Sequence, residues 1–280
     1  MFHTVAILSS TPDFSDLGLP VPVLTGSLEQ LGQQARRLGL DGLEFMPDPE
    51  NMPSSADVIR SLKPSGIRVS QVGTTRMALQ GYGLLNADPA IREESARQFK
   101  AMIRLAGELG SSVGLGSARG LQGTAISREQ AAAMLEDTLG DLAEDAEEHG
   151  TQILLEPVPL NLIAGVGTMK DAACLVRELN HPAIALMLDT AQLRTETSIF
   201  DAILEAKGIA SYIQLFDNDY WPPGVLPKEE SMDWDLVGTA LRCIDFQGVA
   251  TILPAKTGDV SASTETSATF VRTVLGRESS

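Results

Sequence analysis

Histidine is scarce in this chain: His3, His149 and His181 are the only three among 280 residues. Cysteine is scarcer, with Cys174 and Cys243 alone. Two cysteines with apolar neighbours in predicted helices make no disulfide framework. They read as buried free thiols of a reducing compartment. Basic residues are outnumbered, 21 Lys and Arg against 37 Asp and Glu, for a formal net charge of −16. A phosphate backbone is bound through Lys and Arg, so this balance argues against a nucleic-acid partner. No apolar run approaches the roughly 18 residues of a membrane span. The start, Met1 to Leu8, has no basic region before a long apolar one, so it reads as a first strand and not as a secretory leader. No strand is followed by a full nucleotide fingerprint. Gly114-Leu115-Gly116 lacks the third glycine and the later acidic residue. What remains is an ordinary globular composition, 43% hydrophobic and 21% charged, which fits a cytoplasmic enzyme acting on a small molecule.

The most informative stretch is Thr151 to Gln192. Two apolar runs there each end in an acid: Ile153-Leu154-Leu155 before Glu156, and Ile184 to Leu188 before Asp189. A helix is predicted between them, near Met169–Leu179. This is a strand, crossover helix, strand unit. In parallel sheets covered by helices, ligands meet the carboxyl ends of strands. Two neighbouring strands would aim Glu156 and Asp189 at one site.

The same alternation runs through the chain. Strands are predicted at Thr4–Ser9, Gly42–Phe45, Gly66–Ser70, Ser112–Leu115, Ser211–Phe216 and Val249–Leu253, besides the central two. Helices are predicted at Ser27–Leu38, Ser55–Leu62, Asp88 to Gly110, from Ser127 to Gly150, Ile199–Ala206, Trp234–Ile244 and Thr264–Val274. Asp88 suits a cap, Pro89 the first turn and Gly110 the stop. Ser127 and Gln130 have capping-box spacing. Eight such repeats in about 250 residues predict a single (β/α)8 TIM barrel over residues 1–280. A doubly wound open sheet is the alternative.

Strand ends then supply the candidates. They are Glu44; Gln71 with Arg76 beyond it; Ser117 and Arg119; Glu156; Asp189 and Gln192; Gln214, Asp217, Tyr220 and Trp221; and Lys256. By this placement all three histidines fall at the opposite face, which disfavours a histidine base or ligand.

Framework motifs complete the reading. They are Leu84-Leu85-Asn86-Ala87-Asp88-Pro89 with Ile91-Arg92, Leu105 to Gly110, Gly116-Ser117-Ala118-Arg119, Leu155-Glu156-Pro157, His181-Pro182 leading to Leu188-Asp189-Thr190, and Asp217 followed by Pro223-Gly224. In these the chain resembles the sugar isomerase/epimerase superfamily of xylose-isomerase-like barrels. That group includes ketose 3-epimerases, hydroxypyruvate isomerase, inosose isomerases and dehydratases, and more distantly endonuclease IV. The resemblance implies one divalent metal held by Glu, Asp, His and Glu after strands five to eight, with the two Glu moving a proton beside a carbonyl. Glu156 and Asp189 match. Gln214 stands where the His is expected and Leu253 where the second Glu is. Gln192 and Tyr220 replace a substrate-contacting His and Arg.

These departures favour a remodelled site. The expectation is an isomerase, epimerase or lyase acting beside a carbonyl of a sugar-like compound, without a favoured cofactor. Glu156 and Asp189 are its catalytic pair, and Mg²⁺ or Mn²⁺ on those two acids is the metal alternative. Glu44, Gln71, Arg119, Gln192, Gln214, Asp217, Tyr220, Trp221 and Lys256 are its substrate-binding candidates. Arg119 or Lys256 would carry developing negative charge, and Tyr220-Trp221 would floor a less polar pocket. The other reading is a non-catalytic binding or partner subunit on a degenerate barrel. A metal-dependent nuclease is disfavoured by the acidity and by the lack of histidine. Homo-oligomers are common in the resembled group, which is analogy alone.

Overall fold

The computed structural model describes residues 4–11, 23–216 and 232–253, with 268, 269, 271 and 272. β1 (Thr4–Thr11) leads to a two-residue β2 (Leu24–Thr25) and α1 (Leu28–Arg37). β3 (Gly42–Pro47), α2 (Ser55–Leu62), β4 (Arg68–Val72) and the short α3 (Thr75–Leu79) follow. Next come α4 (Pro89–Leu109), β5 (Ser112–Leu115), α5 (Arg128–Glu148), β6 (Ile153–Leu155) and α6 (Met169–Leu179). β7 (Ile184–Asp189), α7 (Thr190–Leu193), α8 (Ile199–Glu205), β8 (Ala210–Leu215), α9 (Trp234–Cys243) and β9 (Val249–Ile252) complete the described set.

Local chemistry sets the helix ends. Ser27 and Gln30 form a full capping box on α1. Asp88 accepts from the Ala90 N–H ahead of Pro89, and Gly110 closes α4 in the left-handed region at φ 64°. Ser127 caps α5 through the Gln130 N–H. No described helix is long and apolar enough to cross a membrane.

All sheet pairings are parallel. The order runs β1-β3-β4-β5-β6-β7-β8-β9, and β9 pairs back onto β1 from Thr4↔Val249 to Ile7↔Ile252. That last ladder closes a (β/α)8 barrel and rules out the open sheet. β2 adds to the end of β1, outside the eight.

Period-two alternation divides the strand side chains. Ile7, Leu43, Phe45, Ile153, Leu155, Leu186, Leu188, Ile213 and Ile252 join one outer core with the helices. Leu154, Ala185, Met187 and Tyr212 form a separate cluster inside the barrel. Each large aliphatic side chain buried in the outer layer contributes roughly 1.5–3 kcal/mol.

Some elements differ from expectation. The third barrel strand runs over Arg68–Val72, not Gly66–Ser70. Gly66 instead closes a 3-10 turn in the left-handed region at φ 71°. The Gly116–Gly120 loop contains a 3-10 turn at Ser117–Arg119. Both cysteines are free but exposed, a correction to the buried reading. The core face of α6 is built from Met169, Ala172, Ala173, Leu175 and Val176, and that of α9 from Val237, Gly238, Ala240 and Leu241. Successive helix residues turn by roughly 100°, so Cys174 and Cys243 face outward despite apolar neighbours. With exposed thiols, the argument from buried cysteines to a reducing compartment no longer holds. Most of the helix predicted at Thr264–Val274 lies outside the described residues.

Candidate active site

The inward cluster shows which acids face the barrel axis. Leu154 points inward, so Glu156 two residues on does too. By the same spacing Met187 leads to Asp189 and Tyr212 to Gln214. Cross-strand register sets Asp189 beside Gln214, Gln214 beside Thr251, and Glu44 beside Gln71. The result is a ring of buried polar side chains toward the C-terminal strand ends, where sites of such barrels form. Two glycines make room for it. A Cβ at Gly116 would stand 2.0 Å from Glu156 Oε2, and one at Gly114 would stand 2.8 Å from Gln71 Oε1.

Glu156 and Asp189 are both buried, and their carboxyl groups are in hydrogen-bond contact. Such a contact needs one proton between them. Burial, then the charge of Glu156, raises Asp189 well above the ordinary range of an Asp. Burial also raises Glu156, but the Arg119 cation beside it opposes that shift. Burial thus favours one retained proton within the pair, and the Arg119 cation favours charge on Glu156. Asp189 also accepts from the Ala191 N–H at 2.7 Å, and the Gln192 side chain bonds Glu156.

Arg119 is fully buried. Its Nε donates to Gly116 O at 3.1 Å, Nη1 to Val166 O at 2.8 Å and Nη2 to Glu156 O at 2.8 Å. Burial pushes its pKa down to about 10, so it stays charged at neutral pH. It braces the loop after β5 against both ends of the loop after β6, and its charge acts on Glu156.

Glu44 anchors a second network. Gln214 Nε2 donates to Glu44 Oε1, and Tyr212 O–H donates to Glu44 Oε2 at 3.2 Å. Tyr212 also meets Ser70 Oγ at 3.1 Å and Thr251 Oγ1. Burial raises the Glu44 carboxyl to about 7, against the hydrogen bonds that favour its charge. Gln71 Nε2 lies 3.0 Å from Met187 Sδ, on the floor. Among the described residues, Gln192 Oε1 is buried with no hydrogen-bond partner.

The structure thus brings together Glu44, Gln71, Arg119, Glu156, Asp189, Gln192 and Gln214. Asp217, Tyr220, Trp221 and Lys256 lie outside the described residues, as does His3. Arg76 is buried on α3, with Nε 3.4 Å from Asp48 Oδ1. His149 follows the last turn of α5, and His181 accepts from the Ala183 N–H before β7, at the opposite end of the barrel. Sequence reading passed over Tyr212 and Thr251. Their signal was spacing: each lies two residues before a residue that was read, Gln214 and Leu253.

The donor set can be tested against the metal that the resemblance implies. Glu156 and Asp189 are two acids of the expected set, but Gln214 is bonded to Glu44, and Leu253 packs with Leu8, Met46, Ala191 and Phe216. Among the described residues no group of three His, Cys, Asp or Glu is arranged to hold a metal ion. The described residues do not fit that four-ligand site.

Comparison with known proteins agrees with this architecture. The model of the family described as xylose isomerase-like TIM barrel matches residues 33–273. A D-psicose 3-epimerase of Enterocloster bolteae is 31% identical over 119 residues, 41% of this chain and 38% of that relative. The chain thus matches well under half the length of this curated relative. The crystal structure of the 3-keto-D-glucoside 4-epimerase YcjR from E. coli superposes with a TM-score of 0.73 at 16% identity, covering 96% of this chain and 99% of that one. The IOLI protein, solved with a bound zinc atom, gives 0.71 at 19% identity, covering 99% and 100%. At these identities the two structures share the fold. Through the family match over most of its length, the chain belongs to the xylose isomerase-like TIM barrels.

Proposed function

We propose that this protein is an isomerase or epimerase that moves a proton on a carbon next to the carbonyl of a small hydroxylated compound. The observation that carries this reading is the buried Glu156–Asp189 pair, whose carboxyl groups are in hydrogen-bond contact. An ionised carboxylate beside a protonated one is an acid–base couple. Glu156 takes the C–H proton, and the electrons of that bond become the enol double bond. Asp189 gives its proton to the carbonyl oxygen. For the isomer, Glu156 returns its proton to the former carbonyl carbon while the now ionised Asp189 takes the proton of the other enediol hydroxyl, which becomes the new carbonyl. For the epimer, solvent supplies a proton at the opposite face, Asp189 takes back the enol O–H proton and Glu156 releases its proton to solvent. Loss of a neighbouring hydroxyl as water from the same enol is the lyase form of this chemistry.

Arg119 acts as a positioning residue that keeps Glu156 ionised. Because the described donors do not fit the four-ligand site, these steps use side chains alone. The named activities of the epimerase relatives support a sugar-like substrate class.

Leu253 and Gln214, which replace two expected ligands, favour a second reading: a binding subunit on a retired barrel. Deuterium exchange separates the two. Chelator-treated protein in D₂O is expected to label the carbon beside the carbonyl in a panel of ketoses and 2-keto acids. Glu156→Gln is expected to lower that rate at least about 100-fold. Labelling that survives the substitution would remove Glu156 from this role, and labelling that requires added metal would overturn the metal-free steps.

A further inference from the structure

Below the polar ring, toward the N-terminal strand ends, the barrel interior changes character. Period two places Thr4, Gly42, Ser112 and Val249 on the inner face, two residues before Ala6, Glu44, Gly114 and Thr251. Ser70 joins them from β4: a Cβ at Gly42 would stand 3.5 Å from Ser70 Cβ and 3.3 Å from Thr4 Cγ2. Ser112 Oγ donates to Ser70 O at 3.3 Å. This floor is built from small side chains and a glycine, and it is not sealed. Thr4, Ser70, Ser112 and Val249 are half-buried, whereas Ala6, Glu44, Tyr212 and Thr251 are buried. The backbone of β4 is covered by β3 and β5 on its two sides, and Ser70 Oγ turns inward to Tyr212. Water therefore meets the Ser70 side chain from the floor.

A hydrogen-bonded chain leads up from there. Ser70 Oγ lies 3.1 Å from Tyr212 Oη, and Tyr212 O–H donates to Glu44 Oε2 at 3.2 Å. The Ser70 hydroxyl donates to Leu43 O at 3.0 Å, and rotation about one single bond turns it to Tyr212. Thr251 Oγ1 also meets Tyr212, but it is fully buried and leads no further toward water.

We propose that Ser70, Tyr212 and Glu44 form a proton relay that connects the Glu44 carboxyl with water at the N-terminal end of the barrel, away from the mouth. In the inward direction Ser70 Oγ takes a proton from water as it passes its own to Tyr212 Oη, and Tyr212 passes its own to Glu44 Oε2. Each hydroxyl oxygen breaks one O–H bond and forms one. The carboxylate becomes a carboxylic acid, and the donor is left as hydroxide, or as water where hydronium gave the proton. The outward direction reverses every hop. The hops are concerted, because burial holds the Tyr212 hydroxyl well above its usual pKa and disfavours a free tyrosinate.

Charge gives the relay a use. Glu44 is faced by Ser70 and Gln71 from β4, Tyr212 and Gln214 from β8 and Thr251 from β9, and the charge of Glu156 favours its neutral form. A proton drawn in through the floor while Glu156 is ionised, and released when Glu156 is protonated, keeps the buried negative charge of these two acids near one. This goes beyond the proton-transfer reading above and does not depend on it.

The test reads the Tyr212 hydroxyl in the full chain, labelled with ¹³C at tyrosine Cζ and held in equal parts of H₂O and D₂O. A hydroxyl that exchanges quickly with solvent gives one averaged Cζ line, and one that exchanges slowly gives separate lines for O–H and O–D. Tyr212→Phe assigns the line among the three tyrosines. One averaged line is expected, although Tyr212 is buried. Ser70→Val, which fills the same place without a hydroxyl, is expected to split that line, and Ser70→Thr, which restores the hydroxyl, to merge it again. Two lines in the wild type overturn the inference with no variant needed. One line persisting in a Ser70→Val protein with wild-type circular dichroism overturns it by showing another route. No substrate is present, so failure here leaves the proton-transfer reading to its own deuterium-labelling test.

Discussion

At residue 116 the lack of a side chain is what admits the carboxyl of Glu156. A methyl there would come within 2.0 Å of Oε2, and the acid would have to swing away from Asp189. Gly116→Ala is expected to keep the barrel, read by circular dichroism, and to lose about 100-fold in deuterium-exchange rate, since misplacing a reacting group by about 1 Å costs that much. An unchanged rate would show that the position of Glu156 does not matter. Glu44 gives a separate prediction in pH. Burial raises its carboxyl from 4.5 to about 7, so the folded chain holds a proton that the unfolded chain has released. The stability from this neutral group is complete below its unfolded pKa and is lost as pH rises through the folded one, at up to about 1.4 kcal/mol per pH unit. Glu44→Gln should remove that loss. Urea midpoints of wild type and variant should diverge between about pH 5 and pH 7, and parallel curves would contradict the buried neutral acid.

At the scale of elements, Arg119 holds two strand-end loops together with three bonds to backbone carbonyls. Arg119→Met fills similar space but leaves those acceptors without their donor and Glu156 without its cation. A loss of about 3–5 kcal/mol in urea unfolding is expected. A loss under about 1 kcal/mol would make the brace superfluous. The elements themselves were legible to differing degrees. α2, α6 and β5 lie where the sequence predicts them, and the Asp88-Pro89 start and Gly110 stop of α4 could be read directly, because capping chemistry is local. β2, α3 and α7 went unread, since two to five residues carry no periodicity. β4 was placed two residues early because a glycine that ends a turn looks the same in sequence as one that opens a strand.

At the scale of the whole molecule, the β1–β9 ladder turns a run of strand ends into a ring. Closure explains why reading the last residues of each strand located Glu44, Gln71, Glu156, Asp189 and Gln214. It also explains what that reading overlooked. Tyr212 lies one tier lower, Thr251 beside Gln214, and the apolar tier of Met46, Phe216 and Leu253 one tier higher. Tiers appear only when the interior of every strand is followed by twos. What Gln192 Oε1 lacks is a fact of packing, which no spacing encodes. Closure also buries the acid pair, which favours one proton retained between Glu156 and Asp189. The most direct measurement is a ¹³C NMR titration of side-chain carboxyls in chelator-treated protein, with Asp189→Asn to assign the pair. One proton retained on Asp189 through neutral pH is the expected result. Two carboxylates both ionised at neutral pH would contradict it.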